Sequence, residues 1–169
     1  MRFGALNVHG SLDVKVGMSD FVRCVNKYDV FFVSEAWTNE SSVIELDNFV
    51  KPVCKHRKRK KSGKRDSGGL CCYFKPEIAR GITEIEWDFE DGMLFKLDKD
   101  FFGWENDAFL FCVYMRDSRS TREDVNDSLN CYDKVLEKMA SIPRNADVIA
   151  VGLACPNDPK IPYSMGPLS

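Results

Sequence analysis

The sequence predicts a mixed α/β fold, on three observations. Short apolar runs such as those in YDVFFVSE and DAFLFCVYM read as strands covered on both faces. Other segments space their apolar residues by three and four, which marks a helix face. At 169 residues and 44% apolar, the chain is also long enough for one domain with a real core, burying roughly 70% of the surface its unfolded form exposes.

Residues 2–8 form the first predicted strand. Residues 19–26 follow as a helix, with Phe21, Val22 and Val25 on one side, and lead into YDVFFVSE. GGLCCYFKP, ITEIEWDF, GMLFKLD and DAFLFCVYM are four further strand candidates, divided by Pro76, the acidic residues 90–92 and the loop at Gly103, and their succession suggests a meander. The clearest helix begins at Ser120. Ser120 and Glu123 form a capping-box signature there, and Val125, Leu129, Tyr132, Leu136 and Met139 recur on one face. Pro143 stops it. ADVIAVG reads as one more buried strand, which gives a domain over residues 1–152 and a Pro-rich irregular tail over 153–169.

Charge is polarised along the chain. Residues 51–65 hold nine of the 24 Lys and Arg and no acid, leaving 15 basic side chains to face all 26 acidic ones elsewhere. A net charge of -2 therefore says little about partners, and local charge says more. Residues 82–107 lean the other way, with acids alternating with Ile82, Ile85, Trp87 and Phe89 as on a solvated hairpin edge. No apolar run approaches the ~20 residues that cross a bilayer, and the N-terminus lacks the pattern of a secretion signal, so the expectation is an intracellular protein, cytoplasmic or nuclear, without a membrane partner. The seven cysteines are an odd number without metal-ligand spacing, so reduced thiols and no disulfide partner are expected.

Polar residues that close buried strands are the candidates for chemistry, because strand ends in α/β sheets open into the crevice where ligands bind. Asn7 closes the first strand, Glu35 closes VFFVSE and Tyr114 nearly closes FLFCVYM. Singly, each has an ordinary reading as a turn former, a solvated charge or a core aromatic with a wet tip.

Together with their surroundings they carry more. LNVHG, FVSEAWT, KRDSGGLCCYFK, the strand ending in Tyr114 and NADVIAVG, in that order, resemble the endonuclease/exonuclease/phosphatase superfamily, and within it the endonuclease domain of non-LTR retrotransposons. The shared pattern is Asn7 with Gly10, Ser34-Glu35-Ala36-Trp37, Ser67-Gly68-Gly69 and Tyr114, and it runs over residues 2–152. The resemblance implies a four-layer α/β sandwich of mostly antiparallel and mixed sheets, of which this chain would be about the first two thirds. It implies metal-assisted phosphodiester hydrolysis, with Glu35 as ligand to Mg2+, Asn7 orienting the catalytic Asp and Tyr114 touching phosphate. It also implies impairment. Where the family carries Gly-Asp-x-Asn this chain reads Gly152-Leu153-Ala154-Cys155, and the Ser-Asp-His strand is missing; His9 and His56 come too early in the chain to supply it.

The basic run leaves three readings open: a solvated loop, a contact for nucleic-acid phosphates through Arg57, Lys58, Arg59, Lys60, Lys61, Lys64 and Arg65, or an import signal. No aromatics are interleaved with the charges, so any binding would read backbone and not bases. Two functions are therefore expected: a DNA endonuclease-like protein, weak or inactive, or a non-catalytic nucleic-acid-binding module that uses residues 51–65.

Overall fold

Residues 30–34 offer four apolar side chains and one small hydroxyl, and all five are buried in the middle of a sheet. The structure, a computed structural model, describes residues 1–56, 68–115 and 122–154. In chain order these form β1 (Phe3–Asn7), α1 (Leu12–Lys15), α2 (Ser19–Val25), β2 (Val30–Ser34), β3 (Val53–Lys55), β4 (Leu70–Phe74), α3 (Pro76–Ala79), β5 (Ile82–Ile85), β6 (Gly92–Leu97), α4 (Lys99–Phe102), β7 (Ala108–Met115), α5 (Arg122–Ala140) and β8 (Asp147–Ala154).

The strands make two mixed sheets, ordered β1-β2-β4-β3 and β5-β6-β7-β8. β1 and β2 run parallel, as do β7 and β8, and the other neighbours are antiparallel. Alternation along the strands divides their side chains between two faces. Val30, Phe32, Cys72 and Phe74 meet Met93, Phe95, Leu110 and Cys112 between the sheets. The Phe74 and Phe95 rings cross edge to face there, with centroids 4.9 Å apart. Leu12, Phe21 and Val25 cover the outer face of the first sheet at Phe31, Val33 and Tyr73. Cys131 of α5 packs with Trp87, Phe89 and Phe111 on the outer face of the second. Helix, sheet, sheet and helix thus stack as part of a four-layer α/β sandwich. Each large side chain buried between the sheets contributes about 1.5–3 kcal/mol.

Several elements differ from the sequence reading. The meander holds for β5, β6 and β7 only, because β4 crosses to the first sheet and lies between β2 and β3. Pro76 opens α3 at a first-turn position, where its missing N–H costs nothing, and that helix carries the chain from one sheet to the other. The acidic segment is not simply solvated: Asp98 caps α4 by accepting from the Asp100 and Phe101 amides at 2.8 and 3.0 Å, and Asp107 pairs with Lys96 at 2.8 Å. On α5 the expected apolar face is turned outward at Tyr132, Leu136 and Met139, which are 46%, 62% and 36% exposed. Cys131 and Val135 face the sheet instead, packing with Trp87, Phe89 and Phe111, and Lys134 stands over the Phe89 ring at 5.7 Å. Ser120, half of the expected capping box, lies outside the described residues, and β8 continues through Ala154.

Candidate active site

Because β1 and β2 are parallel, their C-terminal ends open at the same side of the first sheet, where the next loops must turn sharply. His9, Ser11, Glu35 and Trp37 are the described non-glycine residues with positive φ, at 48°, 55°, 53° and 50°, and all four lie in these two loops. Left-handed backbone costs an ordinary residue on the order of 1–3 kcal/mol and gathers at functional sites. The loops are laced together by backbone bonds from Gly10 N to Glu35 O at 2.7 Å and from Trp37 N to Gly68 O at 2.9 Å. Gly10 has φ +85°, and a Cβ built on it would fall 2.2 Å from the Trp37 ring. The glycine of one loop is therefore the seat for the indole of the other. Gly68 and Gly69, at φ 78° and 83°, turn their carbonyls to the amides of Trp37 and Ala36.

This frame brings three predicted residues together. Asn7 is the register partner of Ser34 across β1 and β2, so Glu35 begins one residue beyond Asn7's level. The Tyr114 hydroxyl reaches over from the second sheet and donates to Glu35 Oε1. Glu35 Oε2 lies 3.1 Å from His9 Nδ1, and the His9 amide donates to Asn7 Oδ1 at 3.0 Å. The Glu35 side chain is 18% exposed and that of His9 68%, so the group is reached from solvent on the histidine side. Two buried side-chain atoms are without a hydrogen-bond partner among the described residues: Asn7 Nδ2 and Ser34 Oγ, on register-paired residues at this mouth. Buried polar atoms are rarely left unmatched, and a pair of them on register partners at the strand ends that lead to Glu35 suits a bound group.

Chemically, the arrangement offers one anionic oxygen pair, an imidazole, a phenol and an amide with a spare N–H. A hard cation such as Mg2+ needs only one or two protein carboxylates when waters and substrate oxygens complete its shell, so Glu35 fits it. Among the described residues, no group of three or more His, Cys, Asp or Glu is placed to hold a metal by protein ligands alone. His9 is the residue that sequence reasoning missed. It comes too early to be the family's C-terminal histidine, yet it reaches Glu35 by another route, and its signal was its position two residues after the candidate Asn7. Lys15 Nζ is the nearby cation, held by the Gly10 carbonyl at 2.7 Å.

The remaining candidate residues, Arg57, Lys58, Arg59, Lys60, Lys61, Lys64 and Arg65, lie outside the described residues, as does Ser67. The start of the basic run is committed elsewhere. Lys55 Nζ donates to the carbonyls of Trp87, Phe89 and Gly92 at 2.6, 3.1 and 3.0 Å, which ties β3 to the second sheet and removes Lys55 from the charges offered to a phosphate. Burial lowers its ammonium pKa below the usual lysine range, while Glu84 and Asp88 pull it back up. His56 Nδ1 lies 3.1 Å from the Thr38 carbonyl. Residue 153, a leucine, is the register partner of Tyr114.

No family model and no curated protein matches the sequence. Solved structures do match. The catalytic domain of human nocturnin with bound sulfate aligns at a TM-score of 0.53 and 7% identity over 83% of this chain and 55% of that one. The fold is endonuclease/exonuclease/phosphatase-like. Truncated TDP2 of Caenorhabditis elegans aligns at 0.48 with 15% identity over 84% and 55%, and selenomethionine TDP2 of that organism at 0.47 with 17% over 83% and 41%. The chain spans about half the length of the solved structures it matches. Six cysteines, at 24, 54, 71, 72, 112 and 131, are free thiols, and no helix among the described residues is long and apolar enough to cross a membrane.

Proposed function

We propose that this chain is a phosphodiester-directed, DNA endonuclease-like protein of retrotransposon origin whose mouth binds a divalent cation and phosphate but hydrolyses weakly or not at all. What supports the binding half is the convergence of Glu35, Tyr114 and Asn7 on one opening. A cation held by Glu35 would absorb charge on the phosphate oxygens. Tyr114 keeps the carboxylate oriented and presents its hydroxyl to the same space, and the spare N–H of Asn7 can donate to an incoming oxygen. The sulfate on nocturnin's catalytic domain is an anion of phosphate shape on the same fold.

The impaired half rests on position 153. It lies level with Tyr114, and leucine has no atom to take a proton from water. Loss of an essential member of a catalytic set costs about 10^4 to 10^6 in rate. Tag-free protein with Mg2+ should therefore leave supercoiled plasmid intact over hours; nicking that disappears in Glu35→Ala would overturn the impaired reading.

The same leucine favours a second reading, a nucleic-acid-binding module that uses the basic segment 51–65 with Lys55 excluded. Gel shifts across a salt series should weaken steeply as salt rises. Binding that survives alanine at positions 58–61 would remove the segment from the account.

A further inference from the structure

Glu35 is held from two sides by chemically different partners. On one oxygen stands the Tyr114 phenol; on the other, 3.1 Å away, stands the Nδ1 of His9. The ordinary account of the second contact is an ion pair on the surface. Three observations ask for more. His9 sits in left-handed backbone at φ 48°, a conformation that an exposed ion pair worth at most about 1 kcal/mol would not select. Its amide is fixed to Asn7 Oδ1 and the next amide, of Gly10, to the Glu35 carbonyl at 2.7 Å, so the imidazole is delivered to the carboxylate by the backbone itself. On the residue before Glu35 and on its register partner are two buried atoms without a partner among the described residues, Ser34 Oγ and Asn7 Nδ2.

A nitrogen and an oxygen 3.1 Å apart also lie within the span of neighbouring ligands of one cation, since bonds of about 2.1 Å put their ends about 3.0 Å apart at octahedral angles and about 3.4 Å apart at tetrahedral ones; the distance therefore admits a cation, and the choice of metal rests on the ligand atoms. Mg2+ gains little from such a pair, because it prefers oxygen and dehydrates reluctantly. Imidazole favours Zn2+, Co2+ and Ni2+.

We propose that His9 and Glu35 together form a mixed nitrogen–oxygen cation site, which makes the mouth select imidazole-binding transition cations over Mg2+. The inference rests on the reading of Glu35 as a cation ligand given above and adds His9 and the choice of metal. Asn7 is the positioning residue, holding the His9 backbone at the angle that keeps the ring on Glu35.

The chain has two histidines, so its imidazole NMR spectrum holds two residues, and His56 serves as an internal reference. Tag-free protein titrated with Zn2+ should shift the His9 ring nitrogens strongly, as direct ligation does, and leave those of His56 in place, whereas Mg2+ on Glu35 should give His9 only a small shift. His9→Ala should weaken Zn2+ binding by about tenfold or more, since losing even an outer-shell partner of a metal ligand costs about 10- to 100-fold, and change Mg2+ affinity by no more than about twofold. Glu35→Gln should weaken both cations. Exposed Cys24 stays present in every variant, so thiol binding cannot produce the difference. A His9 signal that ignores Zn2+, or Zn2+ affinity unchanged in His9→Ala but lost in Glu35→Gln, overturns the mixed site and leaves the cation reading standing. Indifference of both cations to Glu35→Gln overturns both.

Discussion

Residues 30–34 lie buried side by side in regular strand, whereas two of the next three, Glu35 and Trp37, sit in left-handed backbone at φ 53° and 50°. The same contrast runs across both sheets: between them, apolar side chains fill the space, and at their open end polar atoms gather, two of them without a partner among the described residues. Stability is made in one region and spent on geometry in the other. Substitutions should therefore separate cleanly, large in the sandwich and small at the mouth unless they touch the turn frame.

The largest effect is expected between the sheets. Leu110 is fully buried, and Leu110→Ala should lower unfolding free energy by about 2–5 kcal/mol in a denaturant titration. The frame of the mouth comes next. Gly10→Val places a branched side chain at φ +85° against the Trp37 ring and should cost about 2 kcal/mol or more, with a change in Trp37 fluorescence. Lys55→Met would leave three carbonyls without their donor and should cost about 1–3 kcal/mol. Asn7→Ala tests the contrast from the other side. It removes a buried amide nitrogen without a partner among the described residues, together with the acceptor of the His9 amide, so stability should fall only by about 0.5–1.5 kcal/mol, the worth of that one hydrogen bond, even though cation and phosphate binding fall.

Alkaline pH acts on the interior. The Cys54 and Cys72 thiols are pushed above the ordinary 9.0, Cys54 first by its contact with Cys71 and Cys72 first by burial; burial likewise raises Tyr73 above 10.0. A group raised in the folded state gives stability that is fully present below its unfolded pKa and is lost as pH rises, because only the unfolded chain ionises readily. Unfolding free energy should thus decline above about pH 9, and the decline should be shallower in Cys54→Ala. An identical slope in that variant would take Cys54 out of the explanation.

Much of this architecture was legible from residue patterns. The apolar runs at β2, β4 and β7 leave almost no polar position to face water, which suits strands buried on both faces, and β6 is buried likewise except at Lys96, which pairs with Asp107. β3 was not legible: it is three residues long, and Lys55 within it carries a charge that looks like part of the basic run until its three carbonyl partners are seen. The helices α1, α3 and α4 have four residues each, too short for a periodic face. For α5 the period was right and the buried side wrong, because a stripe of Tyr132, Leu136 and Met139 is invisible as exposed until the partner surface is known. At the mouth, Asn7, Glu35 and Tyr114 could be named from strand ends, whereas the one sign of His9 was its place two residues after Asn7, because its contact with Glu35 depends on a backbone turn.

The most direct test of a shared mouth is a double-mutant cycle between Glu35→Ala and Tyr114→Phe, residues far apart in the chain that meet through one hydrogen bond. Unfolding free energies of the four proteins should yield a coupling of about 0.5–3 kcal/mol. A coupling indistinguishable from zero would contradict the convergence on which the proposed function depends.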